Sequence, residues 1–334
     1  MTMTESAVLP IPAVACSEPG TARRHVLSIL DLAPDEVLYL ARRAVQLKHA
    51  PTAPRTLAGR TVGVYFRKTS TRTRTGFQVG AGRLGATTVY FGPNELQTST
   101  GESLGDTART LAGYLDVLVM RTNESVEEMR GFAAHPAMSV VNALSSDEHP
   151  TQALTDLSTL LEHFGRLEGV SVLYCGEGNK TAASLALAMS RIAGTRLTLA
   201  TPAGYGLDPR VLSAAQSLAR AYGARVEQTH DLAAVHPGYD VVYTSRWQEM
   251  GVSKPDPDWK AHFGPFRVTR ALMERVGSPG AVFMHDLPAV RNEDVDDEVL
   301  DGPRSLAWVQ AQYKMWSAMA VVEWCGAGVV NEAG

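Results

Sequence analysis

The sequence has few cysteines, no excess of basic residues and no long apolar run, and each lack excludes a class of protein. Its 334 residues include three cysteines, Cys16, Cys175 and Cys325, too far apart in the chain to suggest a disulfide framework or a cysteine metal site. The formal net charge of -4 argues against nucleic acid or an anionic membrane as the main partner. No segment of the sequence approaches the about 20 apolar residues needed to span a bilayer.

The first 24 residues are small and polar and contain proline, so we expect them to be disordered. They lack a basic start followed by an apolar core and therefore do not resemble a secretory signal peptide. With so few cysteines, the composition predicts a protein of the reducing cytoplasm. The length and apolar content suit two domains with proper cores.

Strands and helices are predicted to alternate along the rest of the chain. Short β-branched and aromatic runs predict strands, and apolar residues at helical spacing predict helices. We predict strands at 61–66, 87–91, 116–120, 139–144, 170–175, 197–200, 240–244 and 281–284, and helices beginning at 34 and at 71–84, 103–114, about 150–164, 181–193 and 305–324. This alternation predicts an α/β fold: two doubly wound, parallel-sheet (Rossmann-like) domains joined by bridging helices.

The stretch 68–76, Lys-Thr-Ser-Thr-Arg-Thr-Arg-Thr-Gly, lies on a predicted strand-to-helix turn, with Ser70 at the N-cap position. The first N–H groups of the helix, the positive end of its dipole, two arginines and several hydroxyls would converge there. This combination predicts an anion site that suits phosphate best. Taken alone, the stretch fits a solvated basic helix start or a phosphorylation patch equally well. A Walker-type loop is excluded because its Gly-x-x-x-x-Gly-Lys spacing is absent.

A glycine-rich turn at 176–180, Gly-Glu-Gly-Asn-Lys, follows another predicted strand. Gly-x-Gly at such a place is typical of dinucleotide-binding domains. Thr181 stands where that motif has its third glycine, and no acidic residue ends the next strand. A nicotinamide-dependent enzyme therefore stays open as an alternative that rests on this turn alone.

Four motifs occur in order along the chain: Ser-Thr-Arg-Thr-Arg at 70–74, Arg121 at the end of a strand, His-Pro-Thr-Gln at 149–152 and His-Asp-Leu-Pro at 285–288. Together they resemble the aspartate/ornithine carbamoyltransferase family, nearer its ornithine branch, over nearly the whole chain. The resemblance implies small-molecule substrates, with carbamoyl phosphate as co-substrate, and no cofactor, metal, nucleic acid or membrane. It also implies a homotrimer with active sites at subunit interfaces.

With the resemblance, the chain divides into a tail at 1–24, a carbamoyl-phosphate domain at 25–150, a second-substrate domain at 151–304, and a C-terminal helix at 305–334 that packs back on the first domain. The residues expected at carbamoyl phosphate are Ser70, Thr71, Arg72, Thr73, Arg121, His149, Gln152, Leu287 and Lys314, with Gln97 reaching in from a neighbouring subunit. Those expected at the acceptor amine are Asn142, Lys180, Ser245, Glu249, Met250 and Asp286.

Arg72, Thr73, Arg121, His149 and Asp286 are the expected catalytic residues. When an amine attacks the carbamoyl carbon, negative charge grows on the carbonyl oxygen. Fixed donors from Thr73, Arg121 and His149 would stabilise that oxygen, and one such donor is worth about 2.7–4 kcal/mol. The alternative for His149 is a helix-start histidine satisfied by backbone groups.

The acceptor positions depart from the ornithine pattern. Lys180 stands where the family has a second asparagine, and Ser-Arg-Trp-Gln-Glu-Met-Gly at 245–251 replaces Asp-x-Trp-x-Ser-Met-Gly. Asp286 replaces the cysteine of His-Cys-Leu-Pro, and Lys314 replaces an arginine, keeping the charge but losing the bidentate fork. Asp286 would attract a cationic amine and help to take its proton, Glu249 would pair with a second ammonium, and Lys180 with a carboxylate.

These departures predict a carbamoyltransferase whose acceptor is a small diamino acid other than ornithine, with 2,3-diaminopropionate as a short example. Ornithine carbamoyltransferase itself and a non-catalytic, anion-binding paralogue are the alternatives. A further alternative is that Lys180 and Glu249 pair with each other across the cleft and bind no substrate.

Overall fold

The computed structural model describes residues 23–248 and 253–327. In the first domain, four parallel strands form a sheet in the order β2-β1-β3-β4. The strands are β1 (Thr61–Phe66), β2 (Thr87–Phe91), β3 (Val117–Arg121) and β4 (Ser139–Leu144). The helices are α1 (Pro34–His49), α2 (Thr71–Arg83), α3 (Leu104–Ala112) and α4 (Val126–Ala133), with short 3-10 helices at Ile29–Asp31 and Gln97–Thr100.

The second domain contains a five-stranded parallel sheet in the order β7-β6-β5-β8-β9. Its strands are β5 (Ser171–Cys175), β6 (Arg196–Ala200), β7 (Arg225–Thr229), β8 (Tyr239–Thr244) and β9 (Gly277–His285). Two long helices, α5 (Pro150–Phe164) and α11 (Ala307–Gly326), flank this domain in sequence. Between them lie α6 (Lys180–Met189), α7 (Pro209–Tyr222), α8 (Trp259–Phe263), a 3-10 helix (Gly264–Phe266), α9 (Arg270–Val276) and α10 (Asp297–Leu300).

Helices α5 and α11 join the two domains. Residues 150–160 of α5 are all buried, and the helix contacts α1 and β4 on one side and α6 on the other. Helix α11 packs against α1, α2 and α5. The approach to α2 is close because α2 has glycines there: a Cβ added at Gly80 would lie 2.8 Å from Met319 Cγ, and one at Gly76 3.2 Å from the Lys314 carbonyl oxygen. Lys314 is thereby placed beside the first turns of α2.

The predicted α/β fold with two parallel sheets is confirmed. Strand β7 was not predicted: its sequence Arg-Val-Glu-Gln-Thr has no apolar run, and it is an edge strand with mostly exposed or half-buried residues. The segment between β2 and α3 contains the 3-10 helix Gln97–Thr100. The division of the chain at residues 25, 151 and 305 stays a prediction. Among the described helices, none is long and apolar enough to cross a membrane.

Each sheet has one point where the direction of strand addition reverses, between β1 and β3 in the first and between β5 and β8 in the second. Phe66 at the end of β1 pairs with Arg121 at the end of β3, and Cys175 of β5 pairs with Thr244 of β8. In doubly wound sheets, ligands bind outside the carboxyl ends of the strands at this switch point. The fold therefore points to the residues that follow these four strands.

Candidate active site

A cavity of about 240 Å³ lies between the two switch points. It is lined from the first domain by residues 68–73, Arg121, Asn123, Leu144 and His149, from the second by residues 179–181, Ser245, Arg246, Gln248 and residues 286–288, and from α11 by Lys314. Among these described lining residues six are lysine or arginine, and Asp286 is the one carboxylate. Such a charge balance suits a small ligand with more than one negative charge.

The start of α2 forms the wall of the cavity on the first domain. Ser70 occupies the N-cap position with an extended backbone (φ -158°, ψ 103°), as predicted. Its hydroxyl does not cap the helix, however, and instead accepts a hydrogen bond from Arg121 Nη1 at 3.3 Å. The N–H groups of the first helical turn are therefore left for a ligand, together with the hydroxyls of Thr71 and Thr73.

Arg72 is a partly buried cation in this wall. Burial lowers the pKa of its guanidinium, an effect that the negative charge of Asp286 opposes. Within the described residues, the buried Nε of Arg72 has no hydrogen-bond partner. A buried donor of this kind is costly unless a ligand satisfies it, which favours an anion site over a solvated helix start.

His149 precedes α5 and is buried, and its imidazole lines the cavity. Its backbone N–H donates to Ser184 Oγ at 2.9 Å, which fixes the start of the helix. Burial first, and then the positive charges of Lys314 and Arg121, lower the pKa of His149 well below its usual range. The ring is therefore neutral and can donate one N–H to an oxygen atom in the cavity. This position favours ligand contact over a purely structural role.

Two residues predicted to touch substrates do not reach the cavity wall. Gln152 is wholly buried, accepts a hydrogen bond at Oε1 from Lys314 Nζ and donates from Nε2 to Asp156 Oδ1 at 2.6 Å, so Lys314 lies between it and the cavity. Asn142 is also wholly buried, and its Nδ2 donates to the Leu27 carbonyl at 2.8 Å, tying β4 to the segment before α1. Direct contact of Gln152 and Asn142 with substrate stays a prediction, and in this structure both side chains bond to protein groups instead.

On the second domain, three loop segments meet at the cavity. Asn179 caps α6 by accepting from the Thr181 N–H at 3.0 Å, and its Nδ2 donates to Ser245 Oγ at 2.8 Å. Thr181 Oγ1 donates to Asp286 Oδ2 at 2.8 Å. Lys180, the first residue of α6, lies between them on the cavity wall. Neither Asn179 nor Thr181 was predicted as a site residue from the sequence. Thr181 was noted there only as the residue that interrupts the dinucleotide motif.

The glycines of the turn before α6 make room for protein groups. A Cβ at Gly178 would lie 2.3 Å from the Leu207 backbone nitrogen, and one at Gly176, where φ is 120°, would lie 3.2 Å from the Trp247 ring. These close contacts explain both glycines without a nucleotide. They remove the observation on which a nicotinamide-dependent enzyme rested.

The remaining predicted residues divide into three cases. Leu287 lines the cavity with a φ of 54°, a conformation uncommon for leucine and concentrated at functional sites. Gln97 begins an exposed 3-10 helix and does not line the cavity of its own chain, so its contact with a neighbouring subunit stays a prediction. Glu249 and Met250 lie outside the described residues, and the pairing of Lys180 with Glu249 is therefore not tested.

The chain matches two domain models in succession. Residues 24–162 match the aspartate/ornithine carbamoyltransferase carbamoyl-P binding domain, and residues 168–325 match the Asp/Orn binding domain of the same family. The chain belongs to the aspartate/ornithine carbamoyltransferase family. It is a carbamoyltransferase, and the resemblance drawn from its four motifs is confirmed.

Individual relatives agree with this assignment. The chain is 38% identical to an ornithine carbamoyltransferase of Methanothermobacter thermautotrophicus over 303 residues, which cover 90% of this chain and 98% of that protein. It is 37% identical to one of Rhodococcus opacus over 305 residues, covering 91% and 96%. The solved structure of ornithine carbamoyltransferase from Pyrococcus furiosus superimposes with a TM-score of 0.86 at 34% identity, covering 92% of this chain and 98% of that one.

Proposed function

We propose that this carbamoyltransferase moves the carbamoyl group of carbamoyl phosphate to an amine of a small diamino acid in the cavity between its domains. The observation that carries the proposal is the composition of that cavity. Among the described lining residues, six cations and the start of α2 suit a dianionic donor, and the one carboxylate, Asp286, suits an ammonium. No cofactor enters the proposed reaction.

The donor is held mainly by the first domain. The N–H groups and hydroxyls at residues 70–73, with Arg72, bind the phosphate. Thr73, Arg121 and the neutral His149 donate to the carbonyl oxygen, where negative charge grows as the amine attacks. A C–N bond forms, the bond from carbon to the phosphate oxygen breaks, and one proton of the attacking amine passes to the departing phosphate. The cationic wall stabilises the departing phosphate, and Asp286 receives the proton of the incoming ammonium.

The relatives' names favour ornithine as the acceptor over the other diamino acid expected from the sequence. Ornithine is accordingly the first acceptor to test. A shorter diamino acid, such as 2,3-diaminopropionate, is the second candidate. Lys180 and Asp286 both line this cavity, one able to pair with a carboxylate and the other with the reacting ammonium.

The test is the release of phosphate from carbamoyl phosphate with a panel of amines. The panel comprises 2,3-diaminopropionate, 2,4-diaminobutyrate, ornithine, lysine and free diamines of matching length, and each ureido product is identified by mass. The highest kcat/KM with ornithine selects the first acceptor, and a maximum at a shorter diamino acid selects the second. Absence of turnover with every amine refutes the proposal and leaves the non-catalytic paralogue.

The assembly is part of the proposal. We expect a homotrimer in which Gln97 of a neighbouring subunit completes each cavity, an expectation supported by the exposed 3-10 helix that Gln97 begins. Light scattering measures the mass. Co-expression of Gln97→Ala with Arg72→Met chains should restore part of the activity that each variant lacks alone, because some sites then combine two intact halves. A location in the cytoplasm stays a prediction from composition.

A further inference from the structure

The donor wall is the part of the cavity lined by residues 68–73, Arg121, His149 and Lys314. A buried carboxylate lies behind it and is not explained by packing. Asp156, in the middle of α5, is wholly buried. It accepts hydrogen bonds from Gln152 Nε2 at 2.6 Å, Gln310 Nε2 at 2.7 Å and the Tyr243 hydroxyl at 3.0 Å. All three donors are neutral. A buried carboxylate supported only by neutral donors is expensive, so its presence points to a charge that it serves.

Gln152 connects this carboxylate to the cavity. Its Nε2 donates to Asp156, and its Oε1 accepts from Lys314 Nζ. An ionised carboxylate only accepts hydrogen bonds and an ammonium only donates them, so one orientation of the amide satisfies both ends. The amide dipole is thus fixed between a cation on the cavity wall and an anion in the core.

Lys314 needs this support because other charged groups face it. Arg72 from α2 and Arg121 from β3 disfavour its protonated form, whereas Asp286 after β9 and Asp156 favour it. Burial is the largest effect, and the pKa of Lys314 is lowered to about 8. The neighbouring His149 is neutral and adds no charge. Burial raises the pKa of Asp156 to about 7, while its bonds from Gln152 and Gln310 act in the opposite direction.

We infer that Asp156 is a positioning residue of the donor site: through Gln152 it keeps Lys314 protonated and aims its ammonium at the phosphate of carbamoyl phosphate. The inference rests on the proposed function. An arginine, which the family resemblance leads one to expect at this position, would be charged without help. Lys314 is charged below its pKa, which burial lowers, and Asp156 above its own, which burial raises, so donor capture should fall at both high and low pH.

The test compares Asp156→Asn in two backgrounds. In the wild type, Asp156→Asn should move the basic limb of the pH profile of kcat/KM for carbamoyl phosphate to lower pH. On that falling limb, each unit of movement lowers kcat/KM about tenfold at fixed pH. The KM for carbamoyl phosphate should rise and that for the acceptor should not. Lys314→Arg should lose the basic limb, and Asp156→Asn added to it should leave the pH profile unchanged. An equal loss in both backgrounds would overturn the inference, because it would mean a merely structural role.

Two further variants make the result independent of folding defects. Tyr243→Phe removes one donor to Asp156, and should move the acidic limb to higher pH by raising the pKa of that carboxyl. Asp240→Asn is the matched control. Asp240 is the second residue of the strand that contains Tyr243, accepts from the Ser171 N–H at 2.9 Å and does not line the cavity, so neither limb should move. Unmoved limbs in an active Asp156→Asn enzyme overturn this inference alone, whereas a wild type inactive with every amine overturns the proposed function.

Discussion

Replacing Arg72 with methionine should remove most of the activity without lowering stability. The guanidinium lies partly buried in the donor wall, and its Nε has no hydrogen-bond partner in the described part of the chain. Truncating one partner of a desolvated, hydrogen-bonded charge pair costs about 2–5 kcal/mol. Because the anionic partner arrives only with the donor, this cost falls on the complex. At 1.36 kcal/mol for each factor of ten, kcat/KM for carbamoyl phosphate should fall about 30- to 5,000-fold.

The stability of the free protein, in contrast, should not fall when Arg72 is replaced. Burial of the Arg72 cation lowers its pKa, so methionine in its place should leave the melting temperature equal or higher. Arg74→Met is the control, because Arg74 lies exposed on the same helix, 5.1 Å from the Tyr90 ring. Its loss should change kcat/KM by no more than about fivefold, the upper scale of an exposed cation–π contact of about 0.5–1 kcal/mol. Initial rates of phosphate release and thermal unfolding measure both effects. Equal losses of activity in the two variants would refute the reasoning.

Three further predictions address the oxyanion donor, the acceptor wall and the packing behind the site. His149→Ala should lower kcat about 10²- to 10³-fold. Because the pKa of His149 lies well below 6.5, the wild-type profile of kcat against pH should show no limb from this histidine near that value. Asp286→Asn should raise the acceptor KM more than Thr181→Val, which removes one hydrogen bond worth about 0.5–1.5 kcal/mol, as acceptor saturation curves will show. In thermal unfolding, Gly80→Ala should destabilise the α2–α11 contact, whereas Gly82→Ala, with nothing within 4 Å of the new Cβ, should gain up to about 1 kcal/mol.

The strands were largely predictable because most of them are buried on both faces, whereas the helices Val126–Ala133 and Pro209–Tyr222 were not predicted. Strands β3 and β5 are buried at every position, and such strands appear in the sequence as short, continuous apolar runs. Strand β7 lacks that signal: it lies at the edge of its sheet and, unlike the edge strand β2 with Val-Tyr-Phe, contains one apolar residue. The order of strands was not predictable from periodicity, since burial of a strand does not say which strand lies beside it. The two switch points, and hence the position of the cavity, required the structure.

The site was predictable where its residues lie in one segment. Residues 70–73 follow a strand and begin a helix, so their convergence on an anion follows from local geometry. Asp156, Thr181 and Asn179 have partners far along the chain. Asp156 and Tyr243 are 87 residues apart, and Thr181 and Asp286 are 105 residues apart. Only tertiary contacts give such residues a role, and a single sequence does not contain those contacts.

The two sides of the cavity are built in different ways, which explains why they could change independently. The donor wall belongs to regular elements: Thr73 lies within α2, Arg121 ends β3, and α2 is held by close packing on α11. The acceptor wall is formed by the turn before α6 and the segments that follow β8 and β9, where Ser245 and Asp286 lie. A substitution in such a segment alters the pocket without moving a helix, whereas one in the donor wall disturbs its supports.

Lys314 is the informative exception, because it departs from the family pattern although it belongs to the donor side. It lies on α11, against α2, and a lysine there gives up the permanent charge and the fork of an arginine. The Gln152 amide behind it, fixed by Asp156, provides the acceptor and the opposite charge that a lysine needs in a partly buried wall beside two arginines. On the inference that Asp156 positions Lys314, this buried carboxylate is what supports a lysine in place of the expected arginine. Loss of Asp156 should accordingly matter to the enzyme with Lys314 and not to its Lys314→Arg variant.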